Sequence, residues 1–247
     1  MNKKYHIGCS GFYYNDWVGK FYPEDLKKKK WLEYYAETFD TVEINNSFYR
    51  MPKESTVQGW YDRTPHNFTF TLKGSRYVTH IKKLKEVSES VAYFYHLADI
   101  LKEKLGSVLW QLPPGLKKNM ERLEAFCRLL TPEYKNVIEF RHQSWFDEEV
   151  YDMLRKYRVA YCIISAPQDL PEHVISTAKH AYMRFHGKDH WYNYYYSDEE
   201  LKQWGELLGK MEADEVFIYF NNDYNANAVK NGKKLTELLA TETADTK

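Results

Sequence analysis

Eight short runs of β-branched and aromatic residues recur along the chain at near-regular intervals, and nearly every one ends in a polar or charged residue. The runs span residues 5–11, 41–48, 68–73, 107–113, 135–141, 159–165, 180–187 and 215–222. Segments with helical apolar period separate most of them, at 31–39, 54–63, 88–105, 120–130, 147–157, 197–210 and 225–240. The helix after run seven opens on a Ser197-x-x-Glu200 capping box. Strands that alternate with helices build parallel sheets, and eight such units in 247 residues match one closed (β/α)8 barrel of TIM type, an α/β fold. A doubly wound open sheet is the competing arrangement. Between runs six and seven, residues 166–179 contain Pro167 and Pro171 and no helical period, which predicts an irregular crossover. The tail from Thr241 is polar and reads as frayed, and a single domain over 1–247 is expected.

Charge and cysteine usage narrow the function classes. Lysine plus arginine number 35 and aspartate plus glutamate 35, so no long-range field attracts polyanions or an acidic membrane surface. The three cysteines, Cys9, Cys127 and Cys162, form no C-x-x-C spacing and follow a polar amino terminus, which points to a reducing, cytoplasmic setting. No apolar run approaches the roughly 18 residues of a membrane-spanning helix, so a soluble protein is expected.

In a closed barrel of this type the carboxyl ends of all strands open on one face, and binding or chemistry sits there. Strand parity places Glu43 with Asn45, Glu139 with Arg141, and Arg184 with His186 on one side of their strands, because each pair is two residues apart. Charge facing the helices would spoil the outer packing layer, so these pairs are expected to point into the mouth, together with Lys73. Glu43 and Glu139 against Lys73, Arg141 and Arg184 leave one excess positive charge, or two if His186 is protonated, and an anionic ligand would complete the balance. An internal ion-pair network closing the barrel top is the structural alternative.

Glu43, Glu139 and His186 are the expected acid–base residues of a hydrolase or lyase, if the barrel is an enzyme. Asn45, Lys73, Gln111, Arg141, His142, Arg184, Asn222 and Tyr196 are the expected ligand-binding set. Asn221, Asn222 and Asp223 add donors and acceptors where barrels often hold phosphate. Glu43, Glu139 and His186 could also ligate a divalent metal, but without His-x-His or Asp-rich spacing a metal is not favoured, and no cofactor is identified. Phe12, Tyr13, Tyr14 and Trp17, with the aromatic stretch 190–196, would hang over the same face as lids or pack on the rim. Gly8-x-x-Gly11 lacks the third glycine of a dinucleotide fingerprint, and neither a Walker lysine motif nor a G-x-S-x-G elbow is present.

Several collinear stretches carry a resemblance. Ile7-Gly-Cys-Ser-Gly-Phe-x-Tyr-x-x-Trp17, Val42-Glu-Ile-Asn-x-Ser-Phe-Tyr-Arg50, Thr79-His80, Gln111-Leu-Pro-Pro114, Glu139-Phe-Arg-His-x-Ser-Trp-Phe146, Arg184-Phe-His-Gly187 and Tyr219-Phe-Asn-Asn222 resemble the YecE-like domain-of-unknown-function family, number seventy-two of its series. The resemblance covers nearly the whole chain and implies a TIM barrel with no established activity. Cys9 stands where that family usually has threonine, Gln143 where it has proline, and Ser165-Ala166 where an acidic residue often follows strand six. The last departure weakens any proposal that needs a carboxylate from strand six. The expected function is an enzyme or ligand-binding barrel for a phosphate- or carboxylate-bearing small molecule. A nucleic-acid-binding or nucleic-acid-processing barrel, with Lys27–30 and Lys82, Lys83 and Lys85 on the backbone, is disfavoured by zero net charge; a partner-binding scaffold is the third class.

Overall fold

The structure, a computed structural model, describes residues 3–167 and 170–245. Eight parallel strands close on themselves in sequence order: β1 (Lys4–Cys9), β2 (Thr41–Ile44), β3 (Thr69–Lys73), β4 (Leu105–Gln111), β5 (Asn136–Glu139), β6 (Ala160–Ser165), β7 (His180–Phe185) and β8 (Glu215–Phe220). β1 closes the ring by pairing with β8 along its whole length. Eight helices accompany them among the described residues: α1 (Trp31–Ala36), α2 (Asn46–Tyr49), α3 (Glu54–Asp62), α4 (Ser88–Ala98), α5 (Met120–Cys127), α6 (Glu148–Tyr157), α7 (Asp198–Gly209) and α8 (Asn227–Asp245). No described helix is long and apolar enough to cross a membrane.

Two apolar layers follow from the alternation of side chains along each strand. Leu109, Val137, Cys162, Ile164, Tyr182 and Tyr219 fill the barrel interior, whereas residues of opposite parity such as Trp110, Ile138, Ile163 and Phe220 pack with the helices. The interior is not wholly apolar. The Tyr219 hydroxyl sits 2.6 Å from Thr41 Oγ1 and 2.9 Å from Thr71 Oγ1, and Thr71 in turn meets Ser107 Oγ at 2.6 Å. This hydroxyl chain satisfies the polar groups of four strands without water.

The seam between β1 and β2 is the narrowest in the ring, with the single register pair Cys9↔Val42. A side chain completes it. The Tyr35 hydroxyl accepts from the Cys9 backbone N–H at 2.8 Å and donates to the Thr41 carbonyl at 2.9 Å, so a tyrosine replaces a backbone rung. Gly8 makes room for it, because a Cβ there would lie 2.2 Å from the Thr41 oxygen and 2.9 Å from the Tyr35 hydroxyl.

Several elements are shorter or longer than sequence patterning suggests. Strand two ends at Ile44, and α2 takes over residues expected to extend it, so parity no longer governs Asn45 and Ser47. The helix expected over 88–105 stops at Ala98 and continues as a 3-10 segment, Asp99–Lys104, with Lys102 in a non-helical conformation. The closing helix runs to Asp245, past the point where polarity suggested fraying. Between Ser165 and His180 the described residues contain no helix, as Pro167 and Pro171 imply, and Thr177 ties this crossover to β6. Its hydroxyl accepts from the Tyr161 N–H and donates to the Val159 carbonyl, both at 2.7 Å. The capping box forms as expected, with Ser197 and Glu200 each accepting from the other's backbone N–H.

Removing the Tyr35 hydroxyl strands a buried backbone donor. Tyr35→Phe should therefore cost about 1–3 kcal/mol in chemical denaturation, with the fold retained; an unchanged midpoint would show that the seam does not depend on this hydroxyl.

Candidate functional site

Three strands that do not pair with one another send side chains inward to meet across the barrel and set the site. Glu139 on β5, Arg184 on β7 and Glu43 on β2 are all buried at the carboxyl end of the barrel, and Arg184 joins the two carboxylates. Its Nη2 donates to Glu43 Oε1 and its Nη1 to Glu139 Oε2, each at 2.6 Å. Tyr182, two residues before Arg184, donates its hydroxyl to Glu43 Oε2 at 2.6 Å. Arg141, just beyond β5, donates through Nε to Glu139 Oε1 and stacks over the Trp191 ring at 4.6 Å. Both oxygens of both carboxylates are thus occupied by donors from the protein itself. Arg184 Nε remains buried without a partner, as do Asn45 Oδ1 and Ser10 Oγ.

His186 caps this network. Its Nε2 lies 2.8 Å from Arg141 Nη2 and 3.3 Å from Arg184 Nη1. Burial and the two guanidinium groups push its pKa well below the ordinary histidine value, so the ring is neutral. With two cationic donors at Nε2, that nitrogen must accept, and the single ring proton belongs to Nδ1. The Asn221 Nδ2 is placed 2.9 Å from Nδ1; because Nδ1 carries the ring proton, the amide is assigned the flipped orientation, in which its oxygen accepts there and its NH2 is released as a donor.

Lys73, the last residue of β3, is buried beside this network but forms no ion pair with a described carboxylate; its ammonium lies 4.4 Å over the Phe48 ring. Burial first, and then the charge of Arg184, lower its pKa to about 7, against the opposing pull of Glu139 and Glu43. Glu139 shows the opposite balance: burial would raise its pKa, but Arg141 and Arg184 outweigh this and hold it well below the usual carboxylate range. A cavity of 380 Å³ opens over these groups, lined by Lys73, Arg184, Asn221, Asp223, Asn45 and Tyr192 among others. Asp223, raised by burial to about 6, is the cavity's other group that titrates near neutrality.

The expected site residues divide accordingly. Glu43, Glu139, His186, Arg141 and Arg184 come together as one network, with Lys73 and Asn45 on the same cavity. Gln111 pairs in register with Glu139 at the end of β4. His142 instead caps the short turn Gln143–Trp145, accepting from the Ser144 N–H at 3.1 Å. Asn222 has the wrong parity for the mouth: its amide donates to the Tyr194 carbonyl and to Asn231 Oδ1 on the helix side, and its neighbour Asn221 takes the inward position. Tyr196 is also outside, buried against Ser165 and accepting from the Gly187 N–H at 3.0 Å. Counting by two from Phe217 and Tyr219 is the signal that selects Asn221. Of the expected lids, Trp17 is fully buried and donates to the Asp223 carbonyl at 2.9 Å, while Tyr14 and Tyr192 do line the cavity. Among the described residues no group of three or more His, Cys, Asp or Glu is arranged to hold a metal ion, and the carboxylate oxygens that would ligate one already receive arginine and tyrosine donors. All three cysteines are free and buried.

Comparison with known proteins places these features in a family context. The family model described as "Protein of unknown function DUF72" matches residues 6–247. The protein YunF of Bacillus subtilis is 28% identical over 272 residues, covering 96% of this chain and 95% of YunF. A DUF72 family protein from Thermotoga maritima superposes with a TM-score of 0.87 at 32% identity, over 96% of this chain and 99% of that one. One from Enterococcus faecalis shares the fold with a TM-score of 0.82 at 22% identity, over 96% and 95% of the two chains.

Two stability measurements check this electrostatic description. Arg184→Met leaves two buried carboxylates without their shared cation and should cost about 3–5 kcal/mol by chemical denaturation; a loss below 1 kcal/mol would contradict the bridge. For Lys73 the sign is reversed, because a depressed lysine pKa means that the unfolded chain binds more protons above neutrality. Its contribution makes stability rise with pH between about 7 and the ordinary lysine value near 10.4, and Lys73→Met should flatten that rise and be the more stable form at pH 7. An identical pH–stability curve for both proteins would refute the shift.

Proposed function

The chain belongs to the DUF72 family, whose description names no reaction, and we propose that its barrel mouth takes a small molecule bearing a phosphate or carboxylate group, as a ligand-binding or catalytic site. The observation that carries this reading is Lys73. The four charges of Glu43, Glu139, Arg141 and Arg184 cancel within the network and His186 is neutral, so at and below about pH 6, where Asp223 takes up its proton, the surplus positive charge of the cavity rests on this lysine. A ligand anion supplies the partner it lacks. The surrounding donors favour the same sign of ligand: Arg184 Nε is unpartnered and the Asn221 NH2 is released by the His186 tautomer.

The proton-moving roles expected from sequence shift in this reading. Glu139 is held ionised by two arginines, Glu43 has both oxygens occupied, and His186 offers no free basic nitrogen. Lys73 and Asp223 are the cavity groups poised to exchange protons near neutrality, so acid–base work falls to them. Zero net charge gives no support to a polyanionic partner, whose binding would depend steeply on salt.

Calorimetric titration with inorganic phosphate and with oxalate at pH 6 is the direct test. Binding is expected for the native protein and should weaken by at least roughly tenfold, about 1.4 kcal/mol, in Lys73→Met. Since the ammonium is the binding form, affinity should fall as pH rises through 7. No heat with either anion, or equal affinity in the variant, would remove the anion site.

A further inference from the structure

Lys73 combines three features. It is buried at the end of a barrel strand, it has no carboxylate partner among the described residues, and it opens onto a cavity of 380 Å³ large enough for a small metabolite. The amine is packed against an aromatic ring, with Phe48 from α2 at 4.4 Å. The charged and titratable groups around it are Arg184 on β7, Arg141 beyond β5, Glu139 on β5, Glu43 on β2 and His80 in the turn that follows β3. Both carboxylates in that set are paired with the arginines, so their pull on the lysine only partly offsets burial and the guanidinium charges. Desolvation together with a neighbouring cation is the environment that converts a lysine into a neutral nucleophile at ordinary pH.

We propose that the Lys73 amine condenses with the carbonyl carbon of its ligand and holds it as an imine, the ligand class being a small carbonyl compound that also carries an anionic group, with a 2-oxo acid as the simplest member. This rests on the reading of the mouth as an anion site. In a 2-oxo acid the carbonyl carbon is bonded directly to the carboxylate, so the approach that brings the anion to Nζ also brings the electrophilic carbon within reach. The nitrogen lone pair forms the C–N bond as the carbonyl π bond breaks, and the oxygen takes up the proton that the nitrogen gives up, leaving a neutral carbinolamine. The C–O bond then breaks, a second proton carries the oxygen away as water, and the nitrogen lone pair closes the C=N bond. Amine plus carbonyl give iminium plus water on addition of one proton, with no oxidant or reductant. Asp223 lines the same cavity and keeps its proton to about pH 6, which suits it to deliver that proton. The iminium retains a positive charge beside the ligand's carboxylate, so the charge balance of the mouth survives the condensation.

The test is reductive trapping on the full-length protein. The protein is incubated with pyruvate and sodium borohydride at pH 7, digested, and mapped by mass spectrometry for carboxyethyl-lysine. Lys73 should be modified at least about tenfold faster than the exposed Lys28 and Lys29, because an ordinary lysine is almost wholly protonated at that pH. Its modification should saturate with pyruvate and be suppressed by oxalate or phosphate, while Lys73→Arg, which keeps the charge but cannot form an imine, should lose the fast adduct. Labelling of Lys73 no faster than of Lys28 and Lys29, while phosphate and oxalate still bind, would overturn the imine and leave the anion site standing. Fast labelling of Lys73 that neither anion suppresses, in a protein that binds neither, would keep the reactive amine and overturn the requirement for an anionic group.

Discussion

The Arg184 guanidinium, held between the carboxylates of Glu43 and Glu139, is the interaction on which the rest of the barrel mouth depends. Three buried charges from three strands are expensive to remove from water, and a well-packed apolar trio of similar volume would often be as stable or more so. What the ionic version adds is fixed geometry. Arg184 orients Glu139, which in turn receives Arg141; both arginines hold His186 in its neutral form; and that ring orders Asn221. Beneath this layer, Tyr182 and the Tyr219 hydroxyl chain link the network to the packed interior, so the mouth rests on a floor with few rotational freedoms.

A consequence of this internal pairing is that the residues with the most conspicuous chemistry are the least available for it. Carboxylates saturated with arginine donors are poor bases, and an imidazole whose accepting nitrogen faces two guanidinium groups is a poor acid or base near neutrality. The network acts through its field. By consuming its own negative charge it denies Lys73 a counter-ion while keeping positive charge nearby, and burial adds to the effect. The ionic layer therefore positions and tunes, and Lys73 and Asp223 remain as the groups of the cavity that exchange protons within reach of neutral pH.

Sequence reading reached the architecture and the centre of this arrangement because both depend on strong local signals. Alternation of strand and helix patterns defines a closed barrel, and residues two apart on a strand share a face wherever the strand persists. Glu139 with Arg141 and Arg184 with His186 are such pairs. Asn45 also lines the cavity, although the chain leaves the extended conformation after Ile44 and turns into α2, so strand parity is not what places it there. On β8 the same parity, counted from Phe217 and Tyr219, points to Asn221 rather than Asn222. Tyr196, His142 and Trp17 serve packing and turn geometry through bonds to distant backbone atoms, which no short motif encodes. The Tyr35 hydroxyl in the β1–β2 seam belongs to the same class, since its partners lie on two strands that only the closed ring brings together.

The central claim is that the Glu43–Arg184–Glu139–Arg141 network pairs its own charges, leaves Lys73 without a carboxylate partner and thereby detunes that amine. Nuclear magnetic resonance titration of the Lys73 side chain in the folded protein, assigned against Lys73→Arg, measures this directly. The account predicts a midpoint near pH 7, moving upward when phosphate is bound. A midpoint at the ordinary lysine value of about 10.4 would contradict it, leaving an amine that is simply charged and solvated.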